Sequence, residues 1–168
     1  MTDFVQQIEG LRRYAHHLTR DRSAAEDLVQ DCLVSAIAGA HTLRPGAPLR
    51  PWLFRIMYVN HVAGWRRRRR SPVDDVGENL PETAVDGGQD RSLELSETLR
   101  ALDTLPQVQR DAIALIALED MSYEQAASVL GIPVGTLMSR LSRGRANLRR
   151  AMENDGQPTL RIVASEGA

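Results

Sequence analysis

The chain contains no lysine; all 21 of its basic residues are arginine. Its single cysteine, Cys32, cannot form an internal disulfide. Aromatic residues are scarce, with two Trp, three Tyr and two Phe among 168 residues. An interior built mainly from Leu, Ile, Val and Ala favours packed helices over a sandwich or barrel. No apolar run approaches the roughly 20 residues that span a bilayer. The opening Met1-Thr2-Asp3-Phe4 lacks the basic start and apolar stretch of a secretory signal. These absences point to a cytoplasmic protein without membrane insertion. There is also no Gly-rich phosphate loop and no nucleophile–base grouping. The four histidines (His16, His17, His41 and His61) share no metal-ligand spacing with one another or with Cys32. The expectation is a protein with no catalytic residue, no metal and no cofactor. Cys32 falls on the apolar face of its helix and reads as a small core residue rather than a redox sensor.

What is present is charge in blocks. The net charge is −1, but that figure averages opposite segments. Arg66 to Arg70 are five arginines in succession, and Arg140 to Arg150 contains five more with no acid between them. Ser71 to Asp90 holds six acids and no base. A partner feels these local fields rather than the total.

Apolar spacing in the first half is helical. Phe4, Ile8, Leu11 and Ala15 mark one helix, which breaks at Thr19-Arg20-Asp21-Arg22. Ser23 and Glu26 have the spacing of a capping box opening a second helix. That helix is expected to bury Ala25, Leu28, Val29, Cys32, Ala36 and Ile37, leaving Asp27, Gln30, Asp31 and Ser35 on the other side. Residues 41–49, with Pro45-Gly46 and Pro48, read as a loop. Pro51 suits the first turn of a third helix with Trp52, Ile56, Val59 and Ala63 on one face, running into the arginine block. From Pro72 to about Asp90 the chain has too little apolar surface to fold alone. Leu95, Leu99 and Leu102 suggest a further helix, and Pro106 opens another. The expected fold is all-α, with two small helical domains joined by a flexible acidic linker. The divisions fall at 1–70, 71–91, 92–153 and a flexible tail at 154–168.

The strongest local signal runs from Tyr123 to Leu137. Ser122 and Gln125 again have capping-box spacing. A helix-turn-helix needs a small residue where its helices touch, a residue able to turn sharply four positions later, and an apolar residue early in the second helix. Ala127, Gly131 and Leu137 meet those needs. Leu137, Leu141, Gly144 and Leu148 line one face of the second helix, and Thr136, Ser139, Arg140, Arg143, Asn147 and Arg150 the other. Arg bonds guanine edges through two donors, while Ser and Thr serve bases or phosphates. A merely solvated basic helix is disfavoured because turn, packing stripe and basic face coincide.

Two weaker signals lie upstream. Trp52 to Trp65 sets aromatics beside the arginine run, a combination that suits single-stranded DNA. Trp52 and Phe54 read somewhat more readily as core residues. Asp27 and Asp31, four apart, share a helix face that a basic partner could meet, although spacing alone favours a solvated face.

Together these segments resemble the extracytoplasmic-function sigma factors of the sigma-70 family. The matching pieces are Ser23 to Asp31, Pro51 to Ile56 with Asn60, the arginine block, Leu102 to Pro106, Ser122 to Ala127, and Pro133 to Thr136 with Ser139 to Arg145. They occur in family order over roughly residues 5–152. The resemblance implies a region 2 domain (1–70) and a helix-turn-helix region 4 domain (92–153). It implies a subunit that binds core RNA polymerase through Asp27, Gln30 and Asp31. The loop at 41–49 corresponds to one that captures a flipped base of the −10 element. Arg55, Asn60, His61, Arg66 and Arg67 fall on the segment that meets the melting −10 DNA. Thr136, Ser139, Arg140, Arg143 and Arg145 fall on the helix that reads the −35 duplex. The partners implied are core polymerase, promoter DNA and an anti-sigma factor. A conventional helix-turn-helix regulator of duplex DNA is the main alternative, followed by a sigma-like decoy and, distantly, an enzyme.

Overall fold

The computed structural model describes residues 2–70 and 100–155. The expected linker at 71–91, Leu95, Leu99 and the tail from 156 onward lie outside the described residues. The helices are α1 (Thr2–Thr19), α2 (Arg22–Ala38), a 3-10 turn (Ala40–Thr42), α3 (Leu49–Arg70), α4 (Gln107–Ala117), α5 (Tyr123–Leu130) and α6 (Val134–Asp155). Residues 100–103 are also helical, and there is no strand among the described residues. The fold is all-α, with three long helices in the first half and a smaller helical unit in the second.

Leu11, Tyr14, Ala15 and Leu18 place a buried stripe along α1 at helical spacing. The chain reverses at Arg20, which takes a positive φ of 56°. The cap of α2 differs from expectation. Asp21, not Ser23, is the N-cap, and its carboxylate accepts the Ala24 N–H at 2.7 Å. An anion at this position also meets the positive end of the helix dipole, so it outcompetes a hydroxyl two residues later. Glu26 is thereby freed to lie 3.6 Å from Arg22. Ala25, Leu28, Val29, Cys32 and Ala36 are buried as expected, whereas Ile37 is 74% exposed. Ser35 faces α3 rather than solvent, accepting a bond from the Asn60 amide at 3.1 Å.

Helix α3 carries the largest correction. Its buried face is Leu53, Phe54 and Met57. Trp52 and Ile56 are only partly buried against that core, Val59 is exposed, and Ala63 is exposed. The helix packs against α1, α2 and α5 at once, so no single 3.6-residue stripe describes its interior face. Phe54 lies at its centre, with its ring 5.3 Å from that of Tyr14 and the Arg50 guanidinium 5.3 Å above it.

The second half closes against the first. Ala112, Leu115, Met121, Ala126, Val129, Leu130 and Leu137 belong to the same apolar cluster as Leu11, Phe54 and Met57. Cys32 lies in the first-half part of that cluster, and burial pushes its thiol up to about 12. Its Sγ donates to the Leu53 carbonyl at 3.4 Å. With so little thiolate at neutral pH, the folded protein is expected to react with iodoacetamide at least about a hundredfold more slowly than the urea-unfolded chain. Equal rates in a stopped alkylation assay would contradict the burial.

Candidate functional site

The helix-turn-helix is built by local chemistry. The Ser122 hydroxyl accepts the Gln125 N–H and the Gln125 side chain accepts the Ser122 N–H, completing the capping box of α5. Gly131 ends the helix with φ 66°, and the Ile132 N–H returns to the Ala127 carbonyl at 3.1 Å. The left-handed backbone favours glycine here, and a Cβ at this position would lie 2.5 Å from Arg55 Nη1, so that the guanidinium would have to shift. Leu137 and Leu141 then anchor α6 to the interior. Gly144 is buried against Ile113 of α4, and Leu148 is half-buried.

Around α6 the expected −35 residues do not form one set. Thr136, Ser139 and Arg143 are exposed on one flank of the buried stripe, with Arg140 half-buried beside them. Arg145 lies on the other flank, lining a groove of about 420 Å³ with Tyr123, Met138, Ser142 and Arg149. Asn147 turns to α4, donating to the Gln109 side chain at 3.0 Å, instead of joining the basic face.

On the first half, Asp27, Gln30 and Asp31 form an exposed ridge along α2. Val34 and Ile37, 68% and 74% exposed, extend it by two further turns of the same face. Spacing predicts Ile37 inside, so the apolar continuation of this ridge is not legible in the sequence. The expected −10 residues diverge. Arg55 reaches the second half, with Nη1 donating to the Val129 carbonyl at 3.0 Å. Asn60 is held by Ser35. Burial holds His61 below its ordinary pKa; Arg68 and His17 add to that effect and Asp111 opposes it. Arg66 and Arg67 are exposed. Among the described residues no group of three or more His, Cys, Asp or Glu is placed to hold a metal. No helix among them is long and apolar enough to cross a membrane.

Residues 4–58 match the family model for the sigma2 domain of PhyR, and residues 95–148 the model for sigma-70 region 4. The chain is 37% identical over 154 residues to the ECF RNA polymerase sigma factor EcfG of Rhodopseudomonas palustris, covering 92% of this chain and 85% of that one. The chain belongs to the ECF RNA polymerase sigma factors. It is also 33% identical to the ECF RNA polymerase sigma-E factor of Escherichia coli, covering 80% of this chain and 75% of that one. The sigma factor RpoE of Bartonella quintana, solved in complex with the anti-sigma factor NepR, superposes with a TM-score of 0.77 at 36% identity. That match covers 92% of this chain and 99% of the other.

In this sigma factor the residues that sequence reasoning missed lie between the halves. Arg13 and Arg50 converge on Glu119, whose side chain is fully buried. Arg20 pairs with Asp103 at 2.6 Å, and His17 Nε2 lies 3.3 Å from the buried Asp111. Tyr58 is near the same junction: burial and then Asp111 raise its pKa, while Arg140 and Arg55 lower it. The one sequence signal for any of this was Gly10, an interior helix glycine costing about 1 kcal/mol relative to alanine.

Proposed function

We propose that this sigma factor directs core RNA polymerase to two-part promoters, and that the work is divided between residues 1–70 and 92–153. The second unit reads the −35 element as duplex, with Thr136, Ser139 and Arg143 toward the bases and Arg140 beside them. Arg145, on the opposite flank, is assigned to backbone phosphate rather than base edges. The observation that carries this reading is the capped and tightly turned helix-turn-helix presenting an exposed Ser/Thr/Arg flank. The ridge Asp27, Gln30 and Asp31 meets a basic surface of core polymerase, with Val34 and Ile37 adding apolar contact. Arg66 and Arg67 supply charge to the −10 strand, and Arg55, Asn60 and His61 join them once released from their internal partners. The protein is no enzyme: melting is driven by binding, because unpaired bases gain stacking and pockets that duplex DNA lacks. It acts in the cytoplasm. An anti-sigma factor is the natural antagonist, since the similar RpoE was solved with one.

The deciding experiment is transcription in vitro with purified core polymerase and a pool of genomic promoter fragments. New transcripts starting at a fixed distance from a shared two-part motif are expected. Fragment retention without any transcript would instead favour a conventional duplex-binding regulator. Within the same assay, Arg143→Ala should weaken −35 duplex binding by about tenfold, as loss of one bidentate base contact does. Co-purification with core should be unchanged, and unaltered duplex affinity would remove Arg143 from the reading face.

A further inference from the structure

Helix α6 carries an apolar side chain that the interior does not use. Met138, in the second turn of the helix, is 52% exposed. It belongs neither to the apolar cluster nor to the partly buried residues packed against it. A lone exposed apolar residue is ordinary on most surfaces, but the place of this one is not arbitrary. The other exposed large apolar residue of α6, Met152, lies fourteen positions further on, about 21 Å along the axis. Met138 sits instead at the end that follows the Gly131 turn, where a helix-turn-helix presents its side chains to base edges.

The residues around Met138 on the helix surface are small. Gly135 precedes it by three positions, Ser142 follows it by four and Ser139 adjoins it, and all three are exposed. Gly135 has no positive φ, and a Cβ there would meet nothing within 4 Å. Neither backbone strain nor crowding within the chain calls for glycine at 135, although glycine is a poor helix former. The low rim lets the floor of a DNA groove come close to Met138. Ser139 Oγ donates to the Gly135 carbonyl at 3.0 Å, so this hydroxyl meets DNA as an acceptor, while Arg143 supplies donors. Met138 adds the apolar member of the set. Among the groups that base pairs display in the major groove, the apolar one is the thymine 5-methyl.

We propose that Met138 is a specificity-determining residue that reads the 5-methyl group of a thymine in the −35 duplex. The assignment rests on the promoter reading given above, which gives Met138 no base contact. The unbranched thioether chain can adapt its shape to a methyl group. Discrimination then comes from apolar area rather than hydrogen bonding, and burying one methyl group is worth about fourfold in affinity.

The test uses holoenzyme assembled from core polymerase and the full chain, with double-stranded promoter fragments recovered in the transcription assay. Each thymine of the −35 element, on either strand, is replaced in turn by deoxyuridine, which deletes the methyl group and keeps the base pair. Competition binding reads the affinity of each fragment. With the unsubstituted protein, one position is expected to lose about fourfold. Met138→Ala should bind the thymine and uracil fragments alike at that position, and Met138→Leu should keep the preference. Both variants should assemble with core as the unsubstituted protein does. If uracil is tolerated at every position, or if Met138→Ala keeps the full preference, the assignment is overturned while the promoter reading stands. If the unsubstituted holoenzyme shows no specific binding to the fragments, the promoter reading itself falls and takes the assignment with it.

Discussion

Reversing both charges on the α2 ridge, with Asp27→Arg and Asp31→Arg together, should weaken binding to core RNA polymerase by about a hundredfold or more. The two carboxylates are exposed and a helical turn apart. They have no internal ion-pair role among the described contacts of α2, where the Arg22–Glu26 pair is separate. Their replacement therefore leaves the interior untouched. At an interface with a basic surface, each reversal turns an attraction into a repulsion, and like-charge juxtaposition costs several kcal/mol. The single Asp31→Arg change should lose about half of the effect on a logarithmic scale. Affinity for core measured by biolayer interferometry checks this, with circular dichroism as the folding control. A double reversal that binds core normally would move the polymerase contact off this ridge.

Phe54→Ala is expected to be the most damaging single truncation in the first half, lowering unfolding free energy by about 3–5 kcal/mol. The ring is fully buried, packs on Tyr14 and supports the Arg50 guanidinium. Removing it opens a cavity at the point where α1, α3 and the Glu119 socket meet. Chemical denaturation of the variant should show a lower midpoint. Because the apolar cluster is continuous through both halves, the loss should appear in probes of either half. A loss below about 1 kcal/mol would mean that the site collapses around the cavity.

The parts of this molecule that were legible in its sequence are those made by neighbours along the chain. The α5–turn–α6 unit depends on Ser122, Gln125, Ala127, Gly131 and Leu137, all within sixteen residues, and each does in the structure what its chemistry suggests. Where two local solutions compete, the structure takes the one with the stronger acceptor. Ser23 and Glu26 fit a capping box, yet Asp21 caps the helix because a carboxylate accepts the N–H more strongly. Helix α3 misled for another reason. It is buried by three neighbours, and a helix covered on several sides loses the periodicity that identifies its inner face. Asn147 has the spacing of the basic face, but Gln109, 38 residues away, holds it on the other side. The socket around Glu119 was the least visible feature. Glu119 is one of 22 acids, and its partners are 106 and 69 residues distant. Only tertiary contact distinguishes it from the others.

The sorting of cations to one half and carboxylates to the other has a consequence for assembly. Closure is a contact between two unlike surfaces of one chain, not between like patches. Two chains that exchanged second halves would satisfy both sets of contacts at once, each first half holding its neighbour's carboxylate. Such an exchange closes on itself as a reciprocal two-fold pair, with no surface left over to propagate a filament. The contacts that close one molecule are thus also those by which two could be joined, and the balance between them is set by protein concentration.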